Sequence, residues 1–563
     1  MGGGILNLVS TGNSNLLIYG NPQKNIFKTK YKKISNFGQQ KFEILPNGTE
    51  SMSELNETTF RFKIPRHGDL LGDCCLCIDL PDIWSPIFRS PVLNPDEKYT
   101  YYESAFKWID ELGTNMINEI TIESGGHTLA RYTGEYFSAV AHRDKKHKIH
   151  LWNDMTGNVP ELNDPANVYG RSNIYPNAYY EEPTPSSPTP TYHDNEITPS
   201  ILGRRLFIPL ETWFSKSPAH ALPLISLQYT ELFINIKLKP LNQLYVVKDY
   251  TNTINNTIPS YGKPLKTHGH HRFGVYLKPP TTNNKDDLGL SDFRISTWNP
   301  NIHLVGHYYF LDKVERIQFA KQEHKYLIHE VYNETFLDIT GEKLVDLNVK
   351  GLVSSYMFRL RRNDAYKRNE WSNYTNWAYN HIPFNLSYID NDKQTTYFQT
   401  EKRGNDHSDY IKNINKREYL QRNILKSTNI LLDGIEREKS LDVGVYKYIE
   451  PYMRTEYDGK DDMYFYNYSC YTNHNQHQPF GGMNLDKFNE VQLSIKTILP
   501  PSVVGEEGAV NAKTIKNPAN CDQDITIKQA KYIFEYNYDL EVFTERFNVI
   551  VIKSGTIGLL FAR

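Results

Sequence analysis

The sequence predicts an all-β fold made of two consecutive β-sandwich or jelly-roll units, with short helices and long loop insertions. Three observations point there: short runs of strand character recur along the whole chain, strongly helical windows are few, and a polar, Pro-containing stretch separates two β-rich halves. A chain of 563 residues can bury roughly three quarters of its unfolded surface, enough for more than one core.

In the first half the strand-like runs are 59–64, 70–80, 118–123, 206–210 and 226–239; in the second they are 304–311, 325–331, 352–360, 491–498, 525–536 and 547–552. In Glu231-Leu232-Phe233-Ile234-Asn235-Ile236-Lys237-Leu238 the period of two gathers apolar side chains on one face. Many short strands with turn-rich connections fit a sandwich or jelly roll. The lack of regular strand–helix alternation argues against a parallel α/β sheet. Helices are expected over 102–112, 135–147 and 313–321. The Pro/Ser/Thr-rich stretch 181–199 cannot form a strand interior and reads as a surface loop. Residues 363–426, polar and rich in Tyr and Trp, read as a long surface insertion. The predicted division is an N-terminal arm 1–37, a first unit 38–247, a linker 248–272 carrying Pro259 and Pro264, and a second unit 273–563.

Composition narrows the function. Only 39% of residues are hydrophobic, yet 13% are aromatic, with 40 Tyr, and disordered chains are poor in aromatics. Against 65 acidic residues stand 63 basic ones, a net charge of −2, without the basic excess of a dedicated DNA binder. The opening MGGGILNLVSTGNSNLLIYG has neither a basic n-region nor the apolar run of a cleaved secretory signal, so none is expected. No stretch approaches the roughly 18 apolar residues of a membrane-spanning helix. Met1-Gly2 resembles a myristoylation start, but Leu6 stands where Ser or Thr is needed.

Cys74, Cys75, Cys77, Cys470 and Cys521 are an odd, sparse set, not a disulfide framework. Cys74-Cys75-Leu76-Cys77 lacks the spacing of a metal motif and lies in the apolar run LLGDCCLCIDLP, so these are expected to be reduced, buried core thiols. Asn-x-Ser/Thr sequons start at Asn47, Asn56, Asn255, Asn333, Asn373, Asn385 and Asn467. Without entry into the secretory pathway they are chance products of an Asn-rich chain.

No constellation supports an enzyme: there is no phosphate loop, no Gly-x-Ser-x-Gly elbow and no His-Glu-x-x-His helix. The opening Gly2-Gly3-Gly4 follows no strand and cannot cradle a dinucleotide. His268, His270 and His271 read as part of a polar interdomain loop rather than a metal site. Asp458-Gly459-Lys460-Asp461-Asp462 resembles a calcium loop, but its oxygens are out of register with an EF-hand, and a solvated turn is expected. Abundant Tyr and Trp and the pair Asp461-Asp462 are all that favours an alternative, a carbohydrate-binding or glycoside-processing sandwich. Adjacent acids on a strand point to opposite faces and cannot flank one bond. The chain is therefore expected to have no catalytic, cofactor-binding or metal-ligating residue, and no cofactor. Lys24, Lys28, Lys30, Lys32 and Lys33 interleave with Phe27 and Tyr31, a pattern suited to nucleic acid or anionic lipid. With no matching basic excess elsewhere, an arm docking on protein neighbours is as good a reading.

Several segments, in order along nearly the whole chain, carry a family resemblance. They are Gly20-Asn21-Pro22-Gln23 with Phe27-Lys28, Tyr31-Lys32-Lys33 and Asn36-Phe37; Arg66 with Gly68-Asp69-Leu70 and Leu80-Pro81; and Ile208-Pro209-Leu210, Trp213-Phe214 and Pro218. The most specific is Ala221-Leu222-Pro223-Leu224-Ile225-Ser226-Leu227-Gln228-Tyr229. Further on come Phe319-Ala320, His324 with Tyr326-Leu327-Ile328, His477-Gln478-Pro479 with Gly481, and a tail from Phe547-Asn548-Val549 through Ser554-Gly555 to Gly558-Leu559. Together they resemble the major capsid proteins of the nucleocytoplasmic large DNA viruses. Lys24-Asn25, Phe480 and Thr556-Ile557 depart from that family's usual residues and mark a divergent member.

The resemblance implies two tandem jelly rolls, a double jelly roll, and a structural rather than enzymatic role. It implies homotrimeric, pseudo-hexagonal capsomers tiling an icosahedral shell. Partners would be the chain itself, minor capsid and penton proteins, and the inner viral membrane through the N-terminal arm, with no specific nucleic acid. The implied location is the virion capsid, assembled in the host cytoplasm. Within the same fold, a non-virion scaffold paralogue is the alternative. Residues 181–199 and 363–426 are expected on the outer face of the shell.

Overall fold

A computed structural model describes residues 4, 12–29, 31–93, 99–171, 174–178, 198–248, 261–264, 271–279, 297–377, 422–460, 463–472, 478–500 and 536–561, with short strands at 389–390, 395–396, 513–517 and 520–527. The predicted loop 181–199 and most of the insertion 363–426 therefore lie outside the described residues.

Four larger sheets carry the fold. Strands β1 (Phe37–Ile44), β2 (Thr58–Lys63), β3 (Leu70–Asp79), β4 (Ile117–Ser124), β5 (His127–Tyr132), β6 (Arg205–Pro209), β7 (Leu232–Leu238) and β8 (His303–Leu311) form the first unit. They pair as β1-β8-β3-β6 and β2-β7-β4-β5, all antiparallel. The second unit repeats this order with β9 (His324–Phe336), β10 (Glu342–Asp346), β11 (Leu352–Arg362), β12 (Leu425–Leu432), β13 (Ile435–Glu436), β14 (Tyr464–Asn467), β15 (Val491–Thr497) and β16 (Tyr538–Lys553). Its sheets are β9-β16-β11-β14 and β10-β15-β12-β13. Each unit is thus a jelly roll of the same topology.

The period of two explains the cores. In β7, alternate residues Leu232, Ile234, Ile236 and Leu238 are buried, and they join Phe60, Phe62, Leu76, Ile78, Ile120, Ile122 and Leu304 from both sheets of the first roll. A second cluster unites Tyr356, Phe358 and Leu360 of β11 with Ile430, Leu493, Ile495, Leu540 and Val542.

Two expectations need correction. The boundary predicted at 248–272 lies too early. His303–Leu311 is the eighth strand of the first roll, hydrogen-bonded between β1 and β3, so the second roll begins after it. The helix expected over 102–112 is absent: Phe106–Trp108 is a strand paired with Tyr245–Val247. There the Phe106 ring stacks on Tyr245 at 4.8 Å, and such aromatic burial outweighs helical propensity. The other two helices form, α1 over Gly134–Asp144 and α2 over Lys313–Lys321.

Candidate functional site

In the sheet β9-β16-β11-β14, strand β11 and the middle of β16 are buried on both faces. Along β11, burial is nearly continuous: Tyr356, Phe358 and Leu360 face their own core, while Met357, with Phe465 and Phe543, joins the core of the first roll. The element resting on that second face is α1. Thr133 caps it, accepting the Tyr136 N–H, and Glu135 sits in its first turn. At its start α1 packs against the short helix Leu112–Met116 of its own roll so closely that a Cβ on Gly134 would fall 1.8 Å from the Thr114 carbonyl oxygen.

Polar side chains stitch this seam. From α1, Tyr136 Oη and Arg143 Nη1 donate to the two oxygens of Glu545 on β16, at 2.9 and 2.8 Å, and Ser355 Oγ donates to the same carboxylate at 2.8 Å. Nearby, Arg359 Nη2 of β11 lies 3.0 Å from Glu541 of β16 and 3.6 Å from Glu135 of α1. Arg361 Nη1 binds Glu135 at 3.0 Å, with the Lys239 ammonium 3.9 Å away. A third group joins Ser138 and Lys460 to Glu111, and His142 Nδ1 to Asp458 at 2.5 Å. Burial pushes the Glu111 carboxyl up, but the Lys460 ammonium and His142 outweigh it and hold it down at about 2. A buried charge must be paired, and these pairs cross from one roll to the other.

The turn at 458–460 is therefore no solvated surface loop, as the sequence suggests. Asp458 and Lys460 are the second roll's half of an inter-roll clasp, while Asp461 and Asp462 lie outside the described residues. The start of the insertion 363–426 is likewise not a loop free in solvent. Asp364 is buried between Arg362 and Arg368, Asn369 Nδ2 donates to the carbonyls of Asn242 and Tyr245, and Trp371 Nε1 donates to that of Gln243 at 3.0 Å. Its polar groups pair with one another and with backbone carbonyls of the first roll, which is why so polar a segment packs.

Some of the residues carrying the family resemblance sit at the joint between the rolls. Asp69, buried, accepts the Leu311 N–H at 2.9 Å and binds Arg316 at 2.8 Å, fixing the turn from β8 into α2. Within the 221–229 run, Leu222-Pro223 pairs with β3, Ser226 Oγ donates to the Phe319 carbonyl, and the Tyr229 N–H to that of Gly555.

Other singled-out residues are dispersed. Cys74 lies in the first core, whereas Cys75 and Cys77 occupy the opposite face of β3 and do not join it. Cys470 is exposed. Among the described residues no His/Cys/Asp/Glu cluster could hold a metal. His268 and His270 lie outside the described residues; buried His271 gives its carbonyl to Tyr245 Oη at 2.8 Å. Lys24, Lys28, Lys32 and Lys33 are exposed, as are Phe27 and Tyr31.

Comparison with known proteins agrees with this division. The family described as major capsid protein N-terminus matches residues 25–312, and the family described as large eukaryotic DNA virus major capsid protein matches 315–558. The two matches meet where β8 ends. The chain is 25% identical over 368 residues to a major capsid protein of Chrysochromulina ericina virus, covering 61% of this chain and 54% of the relative. It is 24% identical to capsid protein 1 of Acanthamoeba polyphaga mimivirus, covering 66% and 48%. The matches thus span about half the length of those two relatives. To the major capsid protein of Paramecium bursaria Chlorella virus 1 it is 23% identical over the full length of both. In fold it is similar to the PBCV-1 virus capsid, with TM-score 0.57, 18% identity and coverage of 96% of this chain and 100% of that one. The Faustovirus major capsid protein gives TM-score 0.59, 12% identity and 96% and 94% coverage. Two jelly rolls of one topology and family matches over both halves give one answer: the chain belongs to the major capsid proteins of large eukaryotic DNA viruses, a structural and not an enzymatic family.

Proposed function

We propose that this chain is a building block of an icosahedral virus shell, and that three copies form a pseudo-hexagonal homotrimeric capsomer. The observation that carries this reading is the repeated topology of the rolls, held together by a seam of buried ion pairs. Two like rolls fixed side by side behave as one block. Three such blocks about a threefold axis approximate a hexagon and can tile a flat lattice, a closed arrangement of the kind oligomers favour.

We divide the chain into an arm before Phe37, a first roll ending at Leu311 and a second roll from Lys313 onward. In the arm, Leu16, Leu17, Ile18, Phe27 and Tyr31 are all exposed, which supports burial on neighbours: minor capsid or penton proteins, or a membrane beneath the shell. Its lysines would add salt-sensitive attraction, screened over about 8 Å at physiological ionic strength. The location is the virion, with assembly in the host cytoplasm.

Quantitative protein analysis of purified particles tests the reading. A shell component is present at high copy number in mature particles. A scaffold of the same fold would be abundant in immature assemblies and absent from mature ones.

A further inference from the structure

The seam holds a partly open cleft of about 360 Å³ lined from both rolls. Glu135 enters it from α1 of the first roll and Glu541 from β16 of the second, and both carboxylates lie against one nitrogen of Arg359, at 3.6 and 3.0 Å. Their side chains are 13% exposed. We propose that Glu135 and Glu541 share one proton across the seam, making the attachment of one roll to the other sensitive to pH.

Two carboxylates set against one guanidinium nitrogen and largely shielded from water cannot both ionise freely, and the pair retains a proton that an exposed pair would lose. The facing groups decide which one keeps it. Arg361 binds Glu135 directly and Lys239 stands 3.9 Å from it, so cations concentrate on Glu135. Against burial, Arg361, Lys239 and Arg359 hold its carboxyl below the usual range. Glu541 has Arg359 alone within ion-pair distance among the described residues; burial and then the Glu135 charge push it up to about 7. Glu57, Asp539 and the Tyr374 hydroxyl complete the titratable lining. Burial raises Asp539 as well, and Tyr374, well above its ordinary value, stays neutral.

The direction follows from linkage. Glu541 binds its proton more tightly folded than unfolded, so the proton's stabilising effect is complete below about pH 4.5 and is lost as pH rises through about 7. Glu135 is shifted the other way and remains ionised throughout that window. From about pH 4.5 to 7, one shared proton changes the unfolding equilibrium about tenfold per pH unit, with the seam weakest on the alkaline side.

The test uses the full chain, wild type and Glu541→Gln, each melted at a series of pH values between about 4.5 and 8. The amide keeps a hydrogen-bond donor toward Glu135 without a titrating proton. The melting temperature of the wild type should fall relative to that of Glu541→Gln as pH rises across the window. Infrared difference spectra of the native protein between about pH 6 and 8 provide a readout independent of unfolding. They should show loss of a protonated-carboxyl band that is missing in Glu541→Gln. Parallel melting curves for the two proteins, or an unchanged carboxyl band in the variant, would overturn the proposal.

Discussion

The guanidinium of Arg143 and the carboxylate of Glu545 meet at 2.8 Å although they lie 402 residues apart in the chain, and both side chains are at most 1% exposed. One stands on a helix of the first roll, the other on the last long strand of the second. The pair closes the seam at its most buried point.

Removing Glu545 leaves Arg143 paired with Asp144 but takes the acceptor from Tyr136 Oη and Ser355 Oγ, which costs about 1–3 kcal/mol for each buried group left unsatisfied. Glu545→Ala should destabilise the protein by that amount in urea unfolding. Replacing both Arg143 and Glu545 with Met should not recover the loss, because Asp144 then loses its two hydrogen bonds from Arg143 while Tyr136 and Ser355 still lack the Glu545 carboxylate.

Asp69 is predicted to govern the hinge rather than either core. Asp69→Ala frees the Leu311 N–H and the Arg316 guanidinium it holds, a loss of about 1–3 kcal/mol. Limited proteolysis should then cut between residues 311 and 316 well before it cuts the wild type.

Gly555 has φ of +78°, and a Cβ there would lie 2.5 Å from the Tyr229 ring. Gly555→Ala should lower stability by about 1–2 kcal/mol through backbone strain. Because Tyr229 is 78% exposed, its ring can turn aside. Adding Tyr229→Ala should relieve only the clash, and melting temperatures of the single and double variants separate the two contributions.

The thiols are predicted to differ by face. Cys74→Ser places a hydroxyl in the first core and should cost about 1–3 kcal/mol. Cys75→Ser, on the other face of β3, should cost less. Reductant alone should leave the melting temperature unchanged; a marked drop would show a disulfide where a thiol is described.

How much of this was legible in the sequence follows from what each face of a strand touches. The runs 59–64, 118–123 and 491–498 alternate apolar and polar residues, so their strands were readable to within a residue or two of β2, β4 and β15. The very short β13 and β14 carry too few alternations to stand out. The seam was hidden for a different reason. Glu541 and Glu545 on β16, and Arg359 and Arg361 on β11, alternate with core residues just as a solvent-exposed face would. Nothing local reveals that α1, some four hundred residues earlier than β16, lies over them. The boundary was misplaced because β8 pairs with β1 and β3 across a long, polar connection whose composition resembles a linker. The family motifs were readable as motifs, but their purpose, holding the hinge at Asp69 and the Tyr229–Gly555 contact, required the fold.

The central claim is that two rolls locked into one block assemble by threes. Electron microscopy of the purified protein tests it most directly. The account predicts uniform particles with a near-hexagonal outline and threefold symmetry, about three times the 65.5 kDa mass of the chain. Monomers at micromolar concentration, or pairs of lobes at variable angles to one another, would contradict it.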